Sequence, residues 1–360
     1  MLKATQTVKA ASVERLLNLW GLRYRSDLTS LSTEASSSYD ELLFAASPEG
    51  RTLTAAKFRD NLLDINCQMA WLQTQKLYEY IPNVIDLKEA REITLLAFLV
   101  YKKAFEIYRE RSLVCVSQNN YHNYSVSQEY FSSWGIGAIN QLASDLEEVL
   151  LGFQEQVLKS QNWRTLGFMT TQVKLTNKLI LTKLAPVERA LIHPYLKFIE
   201  EQVALPWQRI CAASVKYQAG ETRLEIVEKM LPMADDISQI VYNNLLKSYP
   251  SHCSRSGKLN ESVVAHSCLR DLNMFQAYLW LCVLEDSLDP IQEELIPLCI
   301  MVMEAVSIKW ELIEKWCQVL GQEILNRVNV DEKVFLFRYT QAMQKLFFEN
   351  RHKLGCKANG

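Results

Sequence analysis

The chain has 360 residues, with 39 Lys and Arg against 41 Asp and Glu, a formal net charge of −2 and a pI near 6.3, so no global field draws it to a nucleic-acid backbone or an anionic membrane. Hydrophobic residues at 49% and charged residues at 22% exclude a disordered chain. Its 11 glycines, roughly 3% against a usual value near 7%, disfavour phosphate-cradling loops and tight hairpins.

In chain order, Val8, Ala11, Leu16, Leu19 and Trp20 open an amphipathic helix, so residues 1–25 read as an N-terminal helix. Residues 26–38, "SDLTSLSTEASSS", are a Ser/Thr-rich linker or loop. Residues 39–112 form an N-terminal helical part. In it, Phe58, Leu62, Ile65, Met69, Leu72 and Leu77 set the period of a helix over 51–82, which Pro82 ends. A second helix, about 86–111, starts with Asp86 and Glu89 in capping-box spacing, and its middle, "ITLLAFLVY", is apolar all round and predicts burial on all sides.

Residues 113–128 are a polar loop with Tyr121, His122 and Tyr124 at its tip. They are the first candidate contact surface, because loops carry function and tyrosine offers a rigid amphipathic face. Residues 129–360 form a C-terminal helical part, with helices expected at 163–184, 186–217, 221–248, 259–286, 290–320 and 331–353. The unit from about 163 onward should be the tightest, with a break near 26–38 or 112–128. The segments from Pro186 and Pro290 share a leading proline and a Leu-Ile pair five residues on. That echo in 186–217 and 290–320 reads as a duplicated unit or as shared helix-start chemistry. The fold class is all-α: a multi-helix bundle or stacked antiparallel helices without a significant β-sheet.

The sharpest hint of chemistry is Glu285, Asp286 and Asp289, with Asp235 and Asp236 as a second acidic patch. Two such patches could hold Mg²⁺ against a diphosphate and resemble, in outline, the sites of isoprenoid-type synthases. However, the first position is Glu, the second patch ends in Gln239, and no phosphate-gripping residues accompany them. The sequence Asp289-Pro290-Ile291-Gln292 instead fits a helix start, with Asp289 as N-cap and Pro290 as first helical residue. Leu279–Met303 then reads as two deeply buried helices around a turn.

His252-Cys253 and His266-x-Cys268 lack the spacing of a zinc site. Lys174 and Lys178 begin a basic strip that continues through Lys183, Arg189, His193 and Lys197, interleaved with Glu188, Glu200 and Glu201. The nine cysteines are irregularly spaced with no C-x-x-C, as expected for reduced thiols in a cytoplasmic protein. No signal peptide and no membrane span are expected. No catalytic or metal-binding residue and no cofactor is assigned. The leading expectation is a non-enzymatic helical interaction protein (adaptor, assembly factor or regulator) whose partner is another protein. The alternative is an all-α protein that binds or processes an isoprenoid, pigment or haem between helices, where aromatics such as Trp207, Trp310 and Trp316 could line a pocket. A nucleic-acid-associated regulator is the second alternative, and nucleic acid is not the expected partner.

Overall fold

The computed structural model describes residues 11–21, 23–24, 39–79, 81, 85–110, 139–160, 163–255 and 257–355. Tyr121, His122 and Tyr124, and the linker over 26–38, lie outside the described residues. The described chain is all-α: α1 (Ala11–Gly21), α2 (Tyr39–Ala46), α3 (Pro48–Ala56), α4 (Asp60–Leu77), α5 (Leu87–Glu110), α6 (Ile139–Ser160), α7 (Trp163–Leu181), α8 (Pro186–Ala204), α9 (Trp207–Ser214), α10 (Thr222–Met230), α11 (Ala234–Ser248), α12 (Ser262–Glu285), α13 (Ile296–Ala305), α14 (Trp310–Leu325) and α15 (Val330–Gly355). The β structure among the described residues is a two-residue antiparallel ribbon, β1 (Cys253–Ser254) with β2 (Gly257–Lys258), in which Cys253 faces Lys258 and Ser254 faces Gly257.

Two compact units emerge. One joins Met1–Trp20 to Ala204–Gly360, and the other is Gly21–Val203. The second is therefore inserted in the first, and residues 163–203, expected to pack with the C-terminal part, belong to the inserted unit. Burial explains the return of the N-terminus: Trp20 is 1% exposed and stacks on Trp207 at 4.5 Å between ring centroids, while Arg15 pairs with Glu228 at 2.8 Å.

In the inserted unit, α4 lies against α5 and α7, and α5 also against α3 and α6. Helix starts follow local chemistry. The Ser47 hydroxyl accepts from the Gly50 N–H at 3.1 Å with Pro48 in the first turn. The Asp86 carboxylate accepts from the Glu89 N–H at 2.8 Å, whereas the Glu89 carboxylate accepts from Thr165 at 2.7 Å instead of closing the capping box. The expected helix over 51–82 breaks after Ala56, with Arg59 in extended backbone at the start of α4. Nor is the α5 midsection buried all round. Leu95 is 57% and Leu99 39% exposed, because no described helix covers that side. The interior carries a buried polar chain in which Tyr101 donates to Asn177 at 2.6 Å and Asn177 donates to Glu200 at 2.9 Å.

In the other unit α12 is the central helix, with α9, α10, α11 and α15 packed on it. Leu272 and Phe275 through Leu284 are at most 1% exposed. Three expected helices are interrupted. The segment 186–217 breaks at Leu205-Pro206 between α8 and α9, where proline has no N–H to give. The segment 221–248 carries a 3₁₀ turn, Leu231–Met233, around Pro232. The segment 290–320 breaks at Ser307, whose φ is 59°.

Candidate functional site

The acidic hinge is built as an ionic clamp. α12 ends at Asp286, a non-glycine residue in left-handed backbone (φ 54°, ψ 35°), whose N–H still reaches the Cys282 carbonyl. Arg209, from the first turn of α9, grips Glu285 with two bonds of 2.8 and 2.6 Å and also contacts Glu294. Arg223 lies 2.7 Å from Asp286, Tyr339 donates to it at 2.6 Å, and Arg338 at 3.0 Å. The Arg223 bond, followed by that of Tyr339, lowers the Asp286 carboxyl from 3.8 to about 2. In the second acidic patch, Asp235 accepts from Asn273 at 3.0 Å and Asp236 from Arg327 at 2.7 Å. The two patches thus have cationic and amide partners from the chain itself. No cluster of three or more His, Cys, Asp or Glu able to hold a metal occurs among the described residues.

The helix start after the hinge differs from the expected cap. Asp289 has α-helical backbone (φ −52°, ψ −40°) despite preceding proline, and its side chain makes no capping bond. The Leu288 carbonyl takes the N–H groups of Ile291 and Gln292, both at 3.0 Å, and the Ser287 hydroxyl accepts from the Asp289 N–H at 3.1 Å. The turn therefore begins one residue before the expected cap. Pro290–Leu295 then winds as a π-helix, with the Ile296 N–H bonded to the Ile291 carbonyl. Burial of the two flanking helices is as the apolar runs predict: Leu279, Trp280, Ile291 and Leu295 are all 0% exposed.

A cluster that the spacing arguments passed over lies earlier on α12, in "CLRD". Cys268 is a reduced thiol, 4% exposed. One turn on, Asp271 shares its face, and the Arg270 guanidinium closes on the Asp271 carboxylate with an Nε bond of 2.8 Å. The pair's side chains are 12% and 14% exposed, so it sits at the edge of the core rather than in open solvent. Four other described thiols of this unit are held protonated by burial. Burial pushes Cys211 and Cys282 up to about 12, and Cys299 and Cys317 well above the usual thiol value. Cys253 is exposed on β1, whereas Cys268, 4% exposed, is as buried as Cys211 at 6%. The signal was present in the sequence, since a cysteine and an adjacent Arg-Asp pair stand at the head of a long apolar helix.

Trp207 and Trp316 lie in the core, whereas Trp310 is half-buried and donates to the Phe347 carbonyl at 2.9 Å. Trp207, Trp280 and Trp316 are at most 1% exposed, and Phe275 packs on Trp316 and Phe347 at 5.4 and 5.3 Å. The indole N–H groups of these three tryptophans and the Gln276 carbonyl oxygen are buried without a hydrogen-bond partner.

The basic strip of the inserted unit is partly consumed by the fold. Arg189 donates to the Leu184 carbonyl at 2.7 Å and Lys197 to the Arg23 carbonyl at 3.4 Å. Glu188 accepts from Lys57 and Thr54. Lys174 is half-buried and Lys178 exposed, one turn apart on α7.

Residues 205–346, about two-fifths of the chain, match the family model described as "Phycobilisome protein". No curated protein and no solved structure matches the chain. The matched stretch begins where the larger chain segment of the outer unit begins and contains α12 with Cys268, Arg270 and Asp271. No described helix is long and apolar enough to cross a membrane.

Proposed function

We propose that the unit containing residues 204–360 is a pigment-bearing module of the phycobilisome type. Cys268 would serve as its attachment thiol, and the Arg270–Asp271 pair would hold the acidic and N–H groups of the pigment. The observation that carries this reading is the family match across the helices that surround Cys268. A bound chromophore would supply absorption of visible light. The protein's part is to orient it: the guanidinium offers a bidentate partner for a carboxylate, and the closed apolar core beside it keeps water from one face.

The test is native mass spectrometry with an absorbance spectrum, on protein purified from its own cells, for the wild type, Cys268→Ala and Cys253→Ala. Extra mass and visible absorbance that survive denaturation in the wild type and in Cys253→Ala, and vanish in Cys268→Ala, would support the reading. A colourless wild-type polypeptide would refute it.

A second reading, a protein-binding component of an assembly, is favoured by the apolar side chains exposed on α4 and α5. Ile65, Met69 and Leu72 recur at helical spacing with 49%, 43% and 56% exposure, beyond what isolated surface apolars explain. The same mass spectrum distinguishes it, because it requires a second polypeptide bound at a fixed ratio.

A further inference from the structure

Cys268 is only 4% exposed, so a pigment can reach its thiol only if a neighbour moves. The register of α11 against α12 identifies that neighbour. Gln276 donates to the Ala234 carbonyl at 3.0 Å and to the Ser238 hydroxyl at 2.9 Å, and Ser238 donates to Asn273 at 3.0 Å. Higher numbers on α11 therefore meet lower numbers on α12, and the two helices run antiparallel. One turn beyond Ser238 on α11 is Tyr242, and one turn before Asn273 on α12 is the turn that carries Cys268. The phenol responds to that neighbour: burial raises the pKa of Tyr242 above its usual value, and Cys268 raises it further.

Tyr242 is itself 5% exposed, and its hydroxyl donates to the Leu259 carbonyl at 2.6 Å. Leu259, 3% exposed, follows β2 directly and leads into α12. The Leu259 N–H reaches the His252 carbonyl at 3.4 Å, and the Ser254 hydroxyl donates to the Gly257 carbonyl at 3.0 Å. A ribbon of two residues per strand has little stability of its own. The ring beside Cys268 is thus fastened to a lightly built arm, whereas the thiol sits on the central helix of the unit.

The geometry points to Tyr242 as the gate of the attachment site, an inference that rests on the assignment of Cys268 as the attachment thiol. The Tyr242 ring shuts the thiol in, its hydroxyl latches the ring to Leu259, and release of that bond admits the pigment. Access to the thiol is then governed by a local opening of the arm, with the helices around it still folded.

The test is labelling by N-ethylmaleimide of the full chain, produced in a host that makes no pigment, with peptide mass spectrometry reading each cysteine. Cys253, exposed on β1, should label fast in every variant, while Cys211, Cys299 and Cys317, at most 6% exposed, should stay protected and so report an intact fold. Wild-type Cys268 should label about a hundredfold more slowly than Cys253, through local opening. Tyr242→Phe, which keeps the ring and removes the latch, should speed Cys268 about fivefold, as the loss of one hydrogen bond predicts. Tyr242→Ala, which removes the gate, should bring Cys268 to within about tenfold of Cys253. Cys268 labelling as fast as Cys253 in wild type, or at the wild-type rate in both variants, would overturn the gate. So would Cys268 labelling only together with Cys211, Cys299 and Cys317, which would mean that it opens by global unfolding alone. If the pigment reading fails instead, protein from its own cells is colourless while these rates keep the gated pattern, so the two failures read differently.

Discussion

Replacing Asp286 by Asn isolates the charge of the hinge clamp. Asn, like Asp, tolerates the left-handed backbone found at φ 54°, so the substitution removes the carboxylate without straining the turn. A carboxyl held at about 2 instead of 3.8 corresponds to an upper limit of about 2.4 kcal/mol at neutral pH. The side chain is 54% exposed, and solvent screening reduces that to about 1 kcal/mol. A few tenths return because an anion at a helix C-terminus opposes the helix dipole. The expected net loss is therefore about 0.5–1 kcal/mol, with a definite pH dependence. Because the folded value lies below the unfolded one, the contribution is fully present above about pH 4 and disappears as pH falls toward 2. Urea denaturation of wild type and Asp286→Asn at steps from pH 7 down to the lowest pH at which both fold would measure it. A gap that is absent at pH 7, or that stays constant through the window from 4 to 2, would refute the clamp as an electrostatic device.

Two further substitutions probe the turn after the clamp. Leu295→Ala removes a side chain with 0% exposure and should cost about 3 kcal/mol, lowering the melting temperature by roughly 6–12 °C; a near-neutral result would mean that the helical hairpin is not a packed core. Asp289→Ala should change stability by less than about 0.5 kcal/mol in urea denaturation, because its side chain makes no capping bond. A loss of about 1 kcal/mol or more would restore it as a cap.

How far the site was legible follows from the range of each interaction. The acidic run 285–289 was readable as a turn because proline and its flanking residues act locally. Its true start, one residue earlier, was not, since Leu288 offers only a backbone carbonyl and no side-chain signature. That Glu285 answers to Arg209 and Asp286 to Arg223, Arg338 and Tyr339 depends on partners about 50 to 76 residues away. Cys268, Arg270 and Asp271 lie within four consecutive residues, yet three residues on a helix do not announce whether they face a core, a ligand or water.

The apolar period of the chain by itself determined an all-α protein, most of its helix positions and the burial of α12, because side-chain spacing along a helix is a property of neighbours three and four residues apart. The tertiary structure alone decided that residues 21–203 form a unit inserted into another, that Leu95 and Leu99 stay exposed on a helix apolar all round, and which thiol stands beside an ion pair. Those outcomes depend on which surfaces meet across long stretches of chain, and that is settled by packing rather than by local spacing.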